Sequence, residues 1–473
     1  MSEAITQLTL AGQSNLPVSP PDIPGLSAAS VKRLYEDDLR QIVFPSVILR
    51  EKISWGEEGI GSDTTLNEVV RIRTEELERF LCRAATLAVP FAGTPMPLRF
   101  EALAGDSHQG ACRPLLFHLP ERSMVLKFAD PRPYLLLAHV LENLSDGIGV
   151  NLRMPAIVPD PDNEWYFVPF LRKRQSMAYD LDRYMFSMGA LTAVAYCLHI
   201  SDLHLENVVV DGEKPVIIDP EFILANFYSN DPAARLRNTG FLSHNVHFSA
   251  LRGGDVSKSP MFTLDVHRRA DGGIDYTKRV DGFRNRMRDI CSLELADPAK
   301  YREIVVAGFE SSYAWMARNK HVLCDMVHGL VTDDFRIRFL YRKTRQYAAV
   351  IHMLNLPCLY APDIWELGIF QRFKASGSFA PRPSRRALKA EWADLLARDV
   401  PYFWMNAGDT KIRHRTGPVQ NWRLSECPRA LAIRSIQELR QADVRSHIAV
   451  LNEFFDISLS KNAVADVGGV REC

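Results

Sequence analysis

The chain lacks any cysteine pattern that would hold a structure together. Its eight cysteines stand singly, at positions 82, 112, 197, 291, 324, 358, 427 and 473. There is no C-x-x-C and no adjacent Cys–His pair, which argues against a disulfide framework and a zinc knuckle and predicts no bound zinc. Unpaired cysteines fit a reduced, cytoplasmic compartment. An excess of charge is missing as well: 57 basic residues face 57 acidic ones, so no global pull toward nucleic acid or anionic lipid is expected. No uninterrupted apolar run approaches the ~18 residues of a membrane span. The N-terminus has no basic start followed by an apolar stretch, so it does not read as a secretory signal. No G-x-G-x-x-G run precedes the "MVLKF" stretch. What remains is an ordinary globular composition, 47% apolar and 24% charged over 473 residues. That is enough for a sizeable core and for about two to three domains or one elaborated one.

Patterning divides the chain into five regions. Residues 1–28 are rich in Ser, Pro and Gly and read as a flexible tail. Residues 29–95 carry apolar residues at helical spacing, with Thr65 as an expected N-cap and Glu68 three residues on. Residues 96–230 are mixed. "LLFHL" and "MVLKF" flank a turn at "PERS" and predict a hairpin; "PYLLLAHVLENL" predicts a helix and "EWYFVPFL" a buried strand. "DLDRYMFSMGALTAVAYCLHI" predicts a long apolar helix. Residues 231–290 mix Gly, Ser, Asp and His and read as a long functional loop region. Residues 291–473 read as helical, including "REIVVAGFESSYAWMARNKHVL", "RFLYRKTRQYAAVIHML", "RALKAEWADLLARDV" and "SIQELRQADVRSHIAVLNEFF". No internal repeat is present. The order is helices, a mixed α+β centre, then helices.

The most informative stretch is "SDLHLENVVVDGEKPVIIDPEF", residues 201–222. Asp202 and Asn207 are five apart, and Asp219 follows twelve later. This is the spacing of the catalytic and metal loops of protein kinases. One carboxylate orients the attacking hydroxyl and accepts its proton. The Asn oxygen and the second Asp hold Mg²⁺, a hard cation that takes oxygen ligands and keeps phosphates among them. "VVVDGEKPVIID" predicts two short strands around an Asp-Gly turn, with Asn207 entering one and Asp219 leaving the other. Lys127, in "MVLKF", is the candidate for the nucleotide phosphates. The plainer alternatives are a polar hairpin with capping acids and an edge-strand lysine.

These residues resemble the D-x-H-x-E-N … I-D-x-E signature in the N-terminal dehydratase domain of class II lanthipeptide synthetases. "GDSHQG" followed by "VLK" resembles the family's D-x-H-x-x-G turn and lysine strand, although "KFAD" departs from its K-P-R. "DRYMFSMGALTAVAYCL" resembles the Y-x-R-x-G-x-L helix, with Ser187 in place of the usual Arg. "RNTGFL", "FSALRGG", "VVAGFESSYAWM" and "FRIRFLYRKTRQYAAVIHMLNLPCLY" resemble further pieces. "EWADLLARDVPYF" resembles L-x-x-G-D-I-P-Y-F, with Arg398 replacing Gly. The pieces follow the family's order from about residue 98 to 403.

The resemblance implies a lipid-kinase-like, two-lobed α+β core with extensive helical additions. It implies an enzyme that uses ATP and Mg²⁺ to phosphorylate Ser and Thr of a ribosomally made precursor peptide. Eliminating the phosphate then gives dehydroalanine or dehydrobutyrine. Phosphorylation falls on Lys127, Asp202, His204, Asn207 and Asp219, with Glu221 as a further metal ligand. Elimination falls on Arg338 and Thr344, and Asp106 and His108 match positions also tied to catalysis. The family's cyclase has a zinc site. The chain ends about seventy residues after "DVPYF" without a Cys–His pair, so a free-standing dehydratase with a separately encoded cyclase as partner is expected. The alternatives are a kinase that stops at phosphorylation, on a peptide, protein or small molecule, and a scaffold without activity. Taken without the resemblance, "RIRFLYRKTRQYA" reads as a basic amphipathic helix.

Overall fold

The computed structural model describes residues 20–52, 63–93, 97–103, 106–171, 181–204, 207–211, 214–225, 231–242, 249–251, 263–268, 274–279, 301–354, 373, 382–422 and 424–465. The chain opens with two helices, α1 (Ala28–Lys52) and α2 (Asp63–Ala92). Each buries one stripe at helical spacing: Val31, Leu34, Tyr35 and Leu39 from α1, and Leu77, Phe80, Leu81, Ala84 and Ala88 from α2. Both stripes pack with Phe100, Leu115, Phe117 and Leu126 of the sheet that follows. Helix α2 begins at Asp63, so Thr65 lies inside the first turn rather than at the N-cap position expected for it.

That sheet is antiparallel and five-stranded, in the order β1-β2-β3-β5-β4. Its strands are β1 (Arg99–Ala102), β2 (Leu115–His118), β3 (Ser123–Lys127), β4 (Val158–Pro159) and β5 (Tyr166–Pro169). The expected hairpin forms: His118 pairs with Ser123, and the Leu119 N–H closes the turn on the Arg122 carbonyl at 2.9 Å. Lys127 ends β3 opposite Tyr166 of β5. Helix α3 (Arg132–Ile148) crosses between β3 and β4 and ends on Gly149, whose φ of 72° suits a left-handed C-cap.

Helix α4 (Leu181–Cys197) is buried along nearly its whole length. It crosses α6 (Arg302–Arg318) at two glycines. A Cβ on Gly189 would stand 2.0 Å from the Val305 carbonyl oxygen, and one on Gly308 would stand 2.0 Å from that of Phe186. These are the glycines of "FSMGAL" and "VAGFES". Their place in the motif follows from backbone packed directly on backbone. Between these helices lie the hairpin β6 (Val208–Asp211) and β7 (Lys214–Ile217), paired as expected. The region read as a long loop also holds helix α5 (Pro232–Asn238) and a second hairpin. The Asp231 carboxylate caps α5 through the Ala233 and Ala234 N–H groups. The hairpin is β8 (Thr263–Arg268) with β9 (Ile274–Arg279).

The C-terminal region departs most from the helical reading. It contains a four-stranded antiparallel sheet, β10 (Arg336–Phe339), β11 (Phe403–Asn406), β12 (Lys411–His414) and β13 (Gly417–Asn421), in that order. "RFLYRKTRQYAAVIHML" is therefore a strand, a turn and a helix, α8 (Thr344–Leu354), not one amphipathic helix. In β10, Ile337 and Phe339 are buried against the core while Arg336 and Arg338 alternate to the other face. The remaining helices are α7 (Lys320–Leu330), α9 (Arg385–Leu396), α10 (Pro428–Gln437) and α11 (Val444–Ala465). Two segments read as single helices are each broken, at Asn319 and across residues 438–443. The fold is α+β.

The glycine crossing generates a test. Gly308→Ala should cost about 3 kcal/mol or more, because neither carbonyl can retreat without shifting a buried helix. Urea denaturation measures this, and an unchanged midpoint would mean that the helices do not meet there.

Candidate active site

Every candidate residue except Thr344 is bonded to, or electrostatically coupled with, other members of a single cleft. The hairpin β6–β7 supplies its floor. Asn207 precedes β6, and its backbone is held from both sides. Its N–H donates to the His204 carbonyl at 2.9 Å, and its carbonyl accepts from Ile218 at 3.0 Å. The Asn207 side-chain N–H₂ donates to the Asp202 carbonyl at 2.8 Å, which leaves the amide oxygen as the end available to a cation. Asp202 itself sits at φ +64°, an uncommon backbone for a non-glycine residue. Its loop is tied down by Leu224 N–H to Leu198 carbonyl, Ala225 N–H to His199 carbonyl and Leu203 N–H to Thr239 carbonyl. Gly240 (φ +93°) lies directly under that loop, where a Cβ would come within 2.5 Å of the Leu203 carbonyl carbon. His204 forms a backbone bridge to Ser249. The "RNTGFL" and "FSA" pieces are thus the support of the Asp202 loop.

Lys127 reaches across from the five-stranded sheet. Its ammonium donates to the Ile218 carbonyl at 2.8 Å and pairs with Asp219 at 3.4 Å. Asp202 faces His204 at 3.9 Å. The Asp202 carboxyl is pushed up to about 7 by burial, then by Asp219 and Asp106, against the pull of Arg338. Its side chain keeps 47% of its surface accessible, so water in the open cleft moderates the shift and the direction is the firm part. Glu221 is also raised to about 7, chiefly by burial, with Arg338 opposing and Asp219 adding repulsion. These carboxyls are crowded and short of positive charge. The oxygen donors Asn207, Asp219 and Glu221 suit a hard divalent cation. Among the described residues no three His, Cys, Asp or Glu side chains hold a metal by themselves, so such a cation needs oxygens from a ligand as well.

Arg338 closes the cleft from the second sheet. Its backbone N–H donates to the Glu221 carbonyl at 3.0 Å, and its Nε lies 3.6 Å from the Glu221 carboxylate. Nη2 donates to the Pro401 carbonyl at 3.3 Å, and the guanidinium stacks 3.6 Å from the Tyr402 ring centroid. The residue is only 3% exposed, yet among the described residues Nε and Nη1 have no hydrogen-bond acceptor. A buried guanidinium with two unused donors is suited to an incoming anion. Thr344 is half-buried at the start of α8, and no hydrogen bond joins it to Arg338.

Asp106 and His108 complete the arrangement. His108 Nδ1 lies 2.7 Å from the Val400 carbonyl. A carbonyl only accepts, so the network assigns the proton to Nδ1 and the lone pair to Nε2. The ring stands edge-on to Tyr402, 5.5 Å between centroids. Burial, with the Arg338 charge adding, pushes His108 down to about 3, so the imidazole is neutral. Burial also raises Asp106, opposed by Arg338, Arg113 and His204. Tyr402 and the Val400 and Pro401 carbonyls received no role from the sequence, although "DVPYF" was visible as a motif. Arg398 in that segment sits at φ +66°, a backbone that glycine adopts at least cost. Here its guanidinium donates to the Leu396 and Leu354 carbonyls at 2.7 and 2.9 Å. Ser187 returns its hydroxyl to the Arg183 carbonyl within α4.

Residues 63–406 match the family described as "Domain of unknown function (DUF4135)". The chain is also 24% identical over 279 residues to the "Lacticin 481/lactococcin biosynthesis protein LcnDR2" of Lactococcus lactis subsp. lactis. That match covers 53% of this chain and 29% of the relative's own length.

His108 stays neutral across the ordinary pH range in this geometry. A half-buried neutral imidazole contributes stability that is full above its unfolded pKa of about 6.5 and is lost as pH falls toward the folded value. Its ring ¹⁵N signals, assigned with His108→Gln, should show no titration between about pH 8 and 5. A midpoint near 6.5 would refute the downward shift that burial and the Arg338 charge impose on the ring.

Proposed function

This chain belongs to the DUF4135 family, and from that premise we propose that it is a dehydratase of ribosomally made peptides. In this reading it phosphorylates Ser and Thr with ATP and Mg²⁺ and then eliminates the phosphate. The observation that carries the reading is the position of Arg338, a buried guanidinium with two unused donors, bonded to the same Glu221 segment that borders the carboxylate cluster. Phosphoryl transfer needs the carboxylates, and departure of a phosphate needs the arginine; one cleft holds both. The likeness to a lacticin 481/lactococcin biosynthesis protein supports a precursor peptide as substrate. The small antiparallel sheet carrying Lys127, set against helices and the β6–β7 hairpin, supports a lipid-kinase-like pair of lobes.

The proposed residue roles are those the family resemblance implies, and the donors and acceptors present are compatible with them. Asn207 Oδ1, Asp219 and Glu221 would hold the Mg²⁺, and Lys127 would hold nucleotide phosphate. ATP supplies the phosphoryl group when bound. Asp202 orients the substrate hydroxyl and takes its proton, with His204 beside it. For elimination, Arg338 Nε and Nη1 grip the ester phosphate, and the Thr344 hydroxyl donates to it. Once the ester phosphate dianion offsets the Arg338 charge that lowers His108, His108 Nε2 accepts the Cα proton while the Cβ–O bond breaks and phosphate departs with the electron pair. The dehydroamino acid formed is an electrophile to which a thiol can add.

Incubation of the protein with ATP, Mg²⁺ and its peptide should give products lighter by one water per modified residue. Arg338→Ala should accumulate the phosphopeptide, with elimination slowed at least about 100-fold. A second reading, a kinase that stops at phosphorylation, draws on the departure of "KFAD" from the K-P-R of the resembled family. A stable phosphopeptide as the sole product of the unaltered protein would establish it and end the dehydratase reading.

A further inference from the structure

The turn that carries Asp106 and His108 has an unusual backbone. Gln109, Gly110 and Ala111 have φ of 51°, 87° and 62°, three successive left-handed residues. Two of them carry side chains, each at a cost of about 1–2 kcal/mol. Such a run turns consecutive N–H groups inward and forms an anion-binding nest. The nest is filled. Asp399 Oδ2 accepts from Gly110 N–H at 2.6 Å and from Ala111 N–H at 3.1 Å. The backbones of His108 and Cys112 then close the turn with reciprocal hydrogen bonds of 2.9 Å.

The carboxylate that fills the nest is itself aimed. Asp399 is fully buried, and its Oδ1 accepts from Arg73 Nη1 at 2.7 Å. Arg73 lies on α2 and also donates to Asp38 on α1, at 2.7 and 3.1 Å, and to Ser107 Oγ at 2.9 Å. Burial works against an ionised Asp399, and Arg73 with the N–H donors outweighs it. The neighbouring residue completes the grip: Val400 N–H donates to the Ser107 carbonyl at 2.8 Å, and the Val400 carbonyl accepts from His108. Asp399 therefore holds the strained backbone of the turn while Val400 sets the tautomer of its histidine.

We propose that Asp399, held by Arg73, is the positioning residue that directs His108 Nε2 into the cleft, and that it serves elimination rather than phosphorylation. The inference rests on the dehydratase reading for its step and on the nest geometry for its structure. It also gives the N-terminal helices a part in the active site, since α1 and α2 orient Asp399 through Arg73.

Asp399→Asn keeps the size but turns an N–H₂ toward either the nest or Arg73. With the full chain, ATP, Mg²⁺ and the precursor peptide, phosphorylation should persist within about threefold, while elimination falls about 10- to 100-fold. Phosphopeptide should accumulate, and the His108 ring ¹⁵N shifts should move. A proportional fall of both steps would indicate a purely structural residue and overturn the proposal, as would unchanged elimination. Arg73→Lys, a milder change, should show the same bias to a smaller degree if Asp399→Asn does not fold; equal loss of both steps there would also overturn it. Should the unaltered protein leave the peptide unmodified, the dehydratase reading fails by itself. The ring shifts still decide the geometry, and identical His108 spectra in the variant would refute it.

Discussion

A buried guanidinium holds this cleft together. Four carboxyls, Asp106, Asp202, Asp219 and Glu221, interact around one opening, and repulsion among them has to be offset. Lys127 offsets part of it from the five-stranded sheet. Arg338 offsets more from the opposite side and at greater cost, because a cation that is 3% exposed must replace its hydration with protein contacts. Stacking on Tyr402, one carbonyl and the nearby Glu221 carboxylate supply only part of that replacement. The two sheets and the hairpin between them are thus joined by charge as well as by packing.

Strand β10 shows how this is built. An edge strand exposes unpaired backbone groups. Here the Arg338 N–H is taken by the Glu221 carbonyl, and the Arg336 N–H by the Asp130 carboxylate at 3.1 Å. Asp130 belongs to the "KFAD" segment that follows β3. It therefore sits at the junction between the two sheets, and its carboxylate also binds Arg132. The far end of the cleft is secured in a similar way, by the chain of Asp38, Arg73 and Asp399 running from the first helices to the His108 turn. Removing one member of such a buried network leaves another charge without its partner, which is why these groups act as a unit.

The legible parts of the molecule were local. "VVVD" and "KPVI" alternate around an Asp-Gly turn, so the β6–β7 hairpin and the approach of Asn207 to Asp219 follow from a few neighbouring residues. Lys127 at the end of a strand was legible for the same reason. The second sheet was not. Its first strand has only four residues, two of them arginine, and pairs with Phe403–Asn406 more than sixty positions away. Basic residues in a strand and on a solvated helix face look alike until the partner strand is known. Nor did the sequence signal Tyr402, Val400 or Asp399 as more than members of a motif. Their roles depend on a carbonyl, a ring face and a carboxylate meeting a turn nearly three hundred residues earlier.

Taken alone, the sequence determined the residue types available for chemistry, the hairpin that spaces them and the family to which the order of motifs points. These are properties of short windows, set by backbone preference and side-chain chemistry. Tertiary structure alone decided which arginine is buried, which histidine nitrogen keeps its lone pair and which glycines cannot be replaced. Burial, tautomer and close backbone approach are properties of what surrounds a residue, and the chain brings those surroundings together only when it folds.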